Sequence, residues 1–350
     1  MITYRNSVVQ EDLARMTRRE SEYRDLKNKS VLVTGATGML ASYCVFLLCY
    51  LNEHFDYHTT VYALMRNKQK AEEMFAGIGC PDSLRFVVQD VCEEIALDAP
   101  VHYIIHAAGN ASAYAILHNP SDIVRTNTLG TIRVLDLAKQ TGARVLFTST
   151  REVYGDTPGR TVLCENDCGS LDQTDPRSCY PESKRVAETL FVSYGKQYGT
   201  AYVINRIAHV YGPGMAIGQD GRIMSDLIGA AVRGEDIVLH SDGTALRAFC
   251  YLTDAVAGMF LTLLKGESGG IYNLANETEE RSVKEAAQML IALFPDKNMH
   301  LVVEGKPLKD LKGYFKTARI PLDTARLEAL GWKPEVPLEQ GMQRTVNSYQ

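Results

Sequence analysis

A chain of 350 residues, 45% of them hydrophobic, can bury a sizeable core, and a formal net charge of −5 gives no basic face for nucleic acid. The 8 cysteines are scattered, and Cys164 and Cys168 form a CxxxC without a second pair, so free thiols in a reducing cytoplasm are expected rather than disulfides or zinc. No apolar run is long enough for a bilayer, and the charged first thirty residues carry no signal-peptide core, so a cytoplasmic protein off the membrane is expected.

In chain order, residues 8–25 read as an amphipathic helix, a solvated cap to which no chemistry is assigned. Ser30 to Thr34 form a short buried strand, and the apolar run from Leu40 to Leu51 a helix packed on the sheet. Between them lies Gly35-x-x-Gly38-x-x-Ala41. Two glycines allow a tight turn and let backbone approach a pyrophosphate at the helix N-terminus; the third position needs only a small residue. Thr37 and Met39 belong to this cofactor turn. The second strand, TTVYALMRN, lacks the acidic residue that would bind ribose hydroxyls and offers Arg66 and Lys68 instead. Either this basic pair meets a 2′-phosphate, so that NADP is the cofactor, or Arg66 stacks on adenine and favours neither NAD nor NADP. A third strand ends at Asp90 and Val91, candidate adenine contacts, and a fourth opens into Ala107, Ala108 and Gly109, where a dinucleotide can lie close to backbone. Asn127, in the next helix, is read as either a cradle residue or a structural hydrogen-bonder.

The strand ARVLFTST runs out at Ser149 and Thr150, followed by Arg151 and Glu152. Tyr180 and Lys184, four residues apart, share one helix face. A phenol titrates near 10 and is a poor base, and a nearby ammonium is the simple way to lower it. Hydroxyl, phenol and ammonium together form a proton relay for oxidising or reducing a carbinol carbon, with the hydride carrier bound at the glycine turn. Strands alternate with helices to about residue 205, which argues an α/β fold with a right-handed, doubly wound parallel sheet. Residues 30–205, rejoined by about 235–265, are expected to form the dinucleotide domain. Residues 206–234 and 266–350 are expected to form a smaller substrate lobe, with a helix over 282–294 and polar turns over 301–342; residues 1–29 stand as an N-terminal extension.

These motifs in this order resemble the extended short-chain dehydrogenase/reductase family, in its nucleotide-sugar epimerase, dehydratase and decarboxylase branch. The resemblance covers about residues 30–342 and includes RIAHVYGPG at 206–214, RAFCYLTDAVAG at 247–258 and LGWKPEVPLEQG near the C-terminus. It implies a Rossmann-type sheet, a bound and recycled NAD, a sugar nucleotide across the sheet edge and a homodimer built on two long helices per subunit. It also implies that Tyr180 takes the proton of the sugar 4-hydroxyl, that Thr150 steadies that oxygen, and that a 4-keto sugar forms. Dehydratases resembling this chain read Thr-Asp-Glu and decarboxylases Thr-Ser-Glu; this chain reads Thr150-Arg151-Glu152. A guanidinium stays protonated and cannot serve as the acid that expels a hydroxide. Glu152 remains as a base for C5, while Arg151 pairs with Glu152, grips an anionic sugar group, or points away. His209 stands where relatives carry an asparagine that contacts the phosphates. Arg247 resembles the diphosphate clamp, and Arg222 is a second candidate. A 4-epimerase is the first expectation, a decarboxylase of a uronic-acid nucleotide the second and a 4,6-dehydratase the third; an NADPH-dependent keto-sugar reductase and a catalytically silent NAD-binding regulator are readings of other classes.

Overall fold

Short β-branched runs alternating with amphipathic segments are what a parallel sheet covered on both faces requires. The computed structural model describes residues 1–218, 221–305 and 319–350. Helix α1 (Ser7–Met16) and a 3-10 turn (Thr17–Leu26) precede β1 (Ser30–Thr34), α2 (Met39–Phe55), β2 (Thr60–Met65), α3 (Lys68–Met74), β3 (Leu84–Val88) and β4 (Tyr103–His106). Helices α4 (Ala113–His118), α5 (Pro120–Arg125) and α6 (Thr131–Thr141) lead into β5 (Arg144–Thr150), α7 (Cys179–Tyr198) and β6 (Tyr202–Ile207). Next come β7 (Val210–Tyr211), α8 (Ile223–Arg233), β8 (Ile237–Leu239), β9 (Leu246–Ala248), β10 (Cys250–Tyr251), α9 (Leu252–Lys265) and β11 (Gly270–Leu274). The last elements are β12 (Glu280–Ser282), α10 (Val283–Leu293), β13 (Leu301–Val303), α11 (Ala325–Glu328) and α12 (Leu338–Asn347).

Seven strands form one parallel sheet in the order β11-β6-β5-β4-β1-β2-β3. The order reverses direction between β1 and β4, the switch point at which the carboxyl ends of strands splay and leave a crevice. Alternate side chains of β1 feed opposite faces: Val31 and Val33 pack with α2 and α9, and Leu32 packs with α6 and α7. The expected strand, glycine turn and helix are therefore in place, with α2 extending the apolar run by a turn to Phe55.

The second lobe joins the ribbons β7/β10, β9/β12 and β8/β13 to α8, α10 and α12. The expected return to the main domain over 235–265 is made by α9 and by Cys250 of β10, which pack in the core of the main sheet without adding a strand to it. Strand β8 pairs with β13, and the outer strand of the main sheet is β11, from residues 270–274. The reason lies in burial: Val238 faces solvent between buried Ile237 and Leu239, a one-sided pattern that suits a ribbon, whereas Tyr272, Asn273 and Leu274 are buried in succession. The polar tail is more regular than expected, because Leu338, Met342 and Val346, four apart, bury one face of α12 in this lobe. Residues 306–318 of that tail lie outside the described residues. Among the described residues no helix is long and apolar enough to cross a membrane.

The N-terminal segment is not a solvated cap. Asp12 of α1 is fully buried, where it accepts from Arg15 at 3.1 Å, Arg344 at 2.9 Å, Tyr43 at 3.1 Å and Tyr251 at 2.8 Å. One carboxylate thus ties α1 to α2, β10 and α12, and Arg15 adds a bond to Thr253 of α9 at 2.8 Å. A charge buried at this depth is tolerable only while its partners remain. Asp12→Ala removes the shared acceptor of two guanidiniums and two phenols and is expected to lower the free energy of unfolding by roughly 3–5 kcal/mol, read from urea denaturation.

Candidate active site

All but Lys68 and Asn127 of the residues singled out above for cofactor, catalysis or substrate line one cleft of about 1480 Å³ along the carboxyl edge of the sheet. Gly35 takes φ +67°, and a Cβ there would stand 2.8 Å from Ala108 Cα, so only glycine lets the two strand ends approach. Gly38 caps α2 without any side-chain bond to the first-turn amides, and Thr37 and Met39 flank it. Those amides, with the backbone of Ala107 and Ala108 opposite, fit an anionic pyrophosphate. At the adenosine end Asp90 follows β3, its carboxyl held below the usual range first by the Cys92 amide and also by Arg66, which lies 3.7 Å away. Val91 is buried beside it. Lys68 pairs with Glu72 at 3.5 Å and does not line the cleft.

Behind the cradle runs a chain of hydrogen bonds that the sequence reading missed. The Ala107 and Ala108 amides donate to Thr34 Oγ1 at 3.2 and 3.1 Å, and Thr34 donates to His106 Nδ1 at 2.8 Å. On its other side His106 Nε2 donates to Thr131 Oγ1 at 3.2 Å, and Thr131 donates to the Asn127 carbonyl at 2.6 Å. Because both threonine protons are committed, His106 is neutral and carries its proton on Nε2. Burial, with Lys184 adding, pushes its pKa down to about 3. Asn127 sits on a π-helical turn (Thr126–Gly130), a local expansion that commonly marks functional sites, and donates to Ser183 Oγ at 2.9 Å. Its Oδ1 is buried without a partner and would stand 3.0 Å from a Cβ on Gly109, facing the cleft wall. An unpartnered acceptor there fits a cleft that a ligand completes.

Helix α7 is locked onto the sheet by Glu188, which accepts from Ser149 at 2.6 Å and from Arg206 at 3.1 and 2.7 Å. Ser149 is therefore structural, and Thr150 is the hydroxyl that faces the relay. Thr150 hydrogen-bonds Tyr180, whose phenol is packed against Ala115, Ile116 and Ile123. Burial raises the Tyr180 phenol well above its ordinary range and Glu152 adds to this, while Thr150, Arg222 and Arg177 oppose it. Lys184 donates to the Thr148 carbonyl at 2.8 Å, and burial, opposed by Glu188, brings it down to about 7. The expected phenolate and ammonium are thus not preset by Lys184 alone: two groups buried together each favour their neutral forms.

Glu152 does not pair with Arg151. Arg177, on a 3-10 turn (Pro176–Ser178) just before α7, grips both of its oxygens at 2.8 and 3.2 Å. The expected pairing of Glu152 with Arg151 is thus replaced by a pairing with Arg177. The only sequence signal for Arg177 was a cation three residues before Tyr180. Arg151 instead donates to the Ile320 carbonyl at 3.2 Å and faces Arg247 and Arg319 across the cleft. Arg247 donates to its neighbour's carbonyl, on Leu246, at 2.7 Å. Arg319, absent from the sequence reading, is held by Glu277 and Glu280. His209 adopts φ +49°, its Nε2 is buried without a partner, and burial together with these arginines pushes its pKa well down. Arg222, exposed at the start of α8, completes the cationic end of the cleft.

The profile of the NAD dependent epimerase/dehydratase family matches residues 31–275. UDP-glucuronic acid decarboxylase 6 of Arabidopsis thaliana is 36% identical over 315 residues, 90% of this chain and 87% of the relative. A UDP-glucose 4-epimerase structure from Thermotoga maritima superposes with a TM-score of 0.77 at 24% identity, covering 91% of this chain and 98% of that one. A dTDP-glucose 4,6-dehydratase structure from Streptomyces venezuelae does so with a TM-score of 0.75 at 26% identity, covering 91% and 96%.

Neutral His106 has a consequence for acid stability. The native ring protonates only near pH 3, against 6.5 for an ordinary histidine. Over that window the unfolded chain holds one proton more, so this group costs about 1.4 kcal/mol of stability per pH unit as pH falls. Urea denaturation of His106→Gln beside wild type is expected to show the variant weaker at pH 7 and the gap narrowing through the same window.

Proposed function

The chain belongs to the NAD dependent epimerase/dehydratase family, and on that footing we propose that it removes carbon dioxide from a nucleotide-linked hexuronic acid through a transient 4-keto sugar. It is an NAD-dependent enzyme that modifies nucleotide sugars. The observation that carries the uronate is Arg151, a half-buried guanidinium beside Thr150 that has no carboxylate partner among the described residues. It lies next to the groups that handle the sugar C4 oxygen, where a C6 carboxylate completes its pairing. The Arabidopsis relative, named for decarboxylating UDP-glucuronic acid, supports the same substrate class.

NAD bound in the cradle supplies the acceptor for the C4 hydride and later returns it. Tyr180 takes the proton of the C4 hydroxyl, and Thr150 holds the same oxygen. In the resulting β-keto acid the C5–C6 bond breaks, its electron pair passes to O4 as an enolate, and C6 leaves as carbon dioxide. Tyr180 and Thr150 donate to the enolate oxygen, C5 takes a proton, and the ketone is reduced. Arg222 and Arg247 hold the diphosphate. His209, neutral and carrying one N–H, is a donor for a phosphate oxygen rather than a second charge. Val186 and Val192 on α7 and Val124 on α5 are exposed, which supports a homodimer through these helices.

A second reading is 4-epimerisation with the carboxylate retained, and Arg151 itself favours it. Carbon dioxide leaves neutral, so a guanidinium on the carboxylate stabilises the reactant more than the transition state. The donors on O4 act the other way. The 4-epimerase expected first from sequence stands second because the curated relatives support decarboxylation. An NADPH-dependent reductase has less support, since Lys68 is engaged by Glu72.

Purified enzyme incubated with UDP-glucuronate and no added cofactor is expected to yield a product lighter by carbon dioxide, read by mass spectrometry. An isomer of unchanged mass selects the epimerase. Arg151→Ser is expected to weaken UDP-glucuronate binding about tenfold and to leave UDP-glucose binding unchanged by calorimetry; equal loss for both removes the carboxylate role. Tyr180→Phe is expected to slow coenzyme reduction by about 10²–10⁴ in stopped-flow absorbance.

A further inference from the structure

The Arg177–Glu152 pair is not used by the steps above, although both residues line the cleft beside Tyr180. Two N–H groups of one guanidinium meet the two oxygens of one carboxylate, a fork geometry that fixes orientation as well as distance. Each side chain is only about a quarter exposed, so solvent screens the pair little. The backbone reinforces it. Asp175 caps the turn by accepting from the Arg177 amide at 2.9 Å, and Thr150 Oγ1 accepts from the Glu152 amide at 3.3 Å. Arg177 and Tyr180 therefore share one rigid turn-to-helix corner, and Glu152 and Thr150 share the facing strand end.

We propose that Arg177 is a positioning residue of the proton relay: it pins Glu152 beside Tyr180 and offsets part of the negative charge that Tyr180 faces. Its effect passes through Glu152 and needs no contact with substrate. The proposal rests on the reading of Tyr180 as the base for the C4 hydroxyl. Among the described residues, the charged groups that act most on Tyr180 are Glu152 from the turn after β5, Arg222 from the start of α8 and Arg177 from the turn before α7; Ala115 and Ile116 of α4 and Ile123 of α5 pack against it, and Asp122 of α5 lines the same cleft. Of the groups that act most, Glu152 is the one anion, and it opposes formation of a phenolate. A guanidinium forked onto it weakens that opposition, so that less of the cofactor's positive charge is spent against Glu152.

The test is a pH titration of tyrosinate absorbance on the NAD-loaded protein without substrate, taking the difference from Tyr180→Phe to isolate Tyr180. In Arg177→Met the Tyr180 transition is expected to move alkaline by about one pH unit. Arg177→Lys is expected to recover part of the shift, and Arg177→Met combined with Glu152→Gln to abolish it. Glu152→Gln alone, which leaves the corner intact, is expected to leave the transition in place or move it acidic, and it keeps the test available if Arg177→Met does not fold. An unmoved transition in Arg177→Met, a shift that survives in the double variant, or an alkaline move in Glu152→Gln overturns the proposal. A wild-type holoenzyme in which Tyr180 does not titrate before unfolding overturns the reading of Tyr180 as base, and the proposal with it. Since no sugar is present, the result is independent of whether the product is decarboxylated or epimerised.

Discussion

The close approach of β1 and β4 at their carboxyl ends is the constraint from which the rest of the cleft is built. Gly35 sits where any Cβ would strike the Ala108 backbone, so the two strand ends can be held together only by glycine on one side and hydrogen bonds on the other. Thr34 and His106 supply those bonds, and the chain continues through Thr131, Asn127 and Ser183 to the carbonyl of Tyr180, to which Ser183 donates at 3.0 Å. One line of buried polar groups thus joins the cofactor turn to the helix that carries the relay. Such a line stabilises only when every member is satisfied. The one unsatisfied atom along it, Asn127 Oδ1, lies where the cleft begins.

Charge in the cleft is distributed unevenly. Cations crowd one end, where burial lowers the proton affinity of Arg151, Arg247 and Arg319, Arg151 adds to this for the other two, and burial with these arginines pushes His209 well below its ordinary range. Arg319 is compensated by Glu277 and Glu280, whereas Arg151 and Arg247 donate to backbone carbonyls. Like charges held this close are costly unless a polyanion enters, so the cationic end is a binding energy waiting for its ligand. At the reacting end the balance is finer. Tyr180 and Lys184 are both driven toward neutrality by burial, and Glu152, gripped by Arg177, still raises the Tyr180 phenol.

Carboxylate–guanidinium joints recur as the means of fixing elements that are far apart in sequence. Glu188 with Arg206 docks α7 on β5 and β6, and Asp12 with Arg344 clasps the N-terminal helix to the last one. Each is buried, and each carboxylate also accepts from hydroxyls, which is the condition under which a buried ion pair does not cost more than it returns. The N-terminal segment, which periodicity alone marked as a solvated cover, is through Asp12 an integral brace of the cofactor helix.

The local signals were enough for the α/β class, the glycine turn, the strand end at Thr150 and the Tyr180–Lys184 face, because each rests on spacing along the chain and on backbone rules that neighbours dictate. The seven-stranded parallel sheet follows from the same alternation. What spacing could not reveal was pairing between distant segments. That β11 rather than residues 235–250 closes the sheet depends on two-sided burial, and that Glu152 belongs to Arg177 rather than Arg151 depends on a corner formed only when α7 docks beside β5. His106 looked like one more residue of an apolar strand, and its role exists only because Thr34 and Thr131 arrive on either side of it. Sequence determined which chemistry this chain carries, through the identities and local spacing of its side chains. Tertiary structure alone decided which charges meet, because the energy of a buried charge is set by whatever partner the fold brings within a few ångströms.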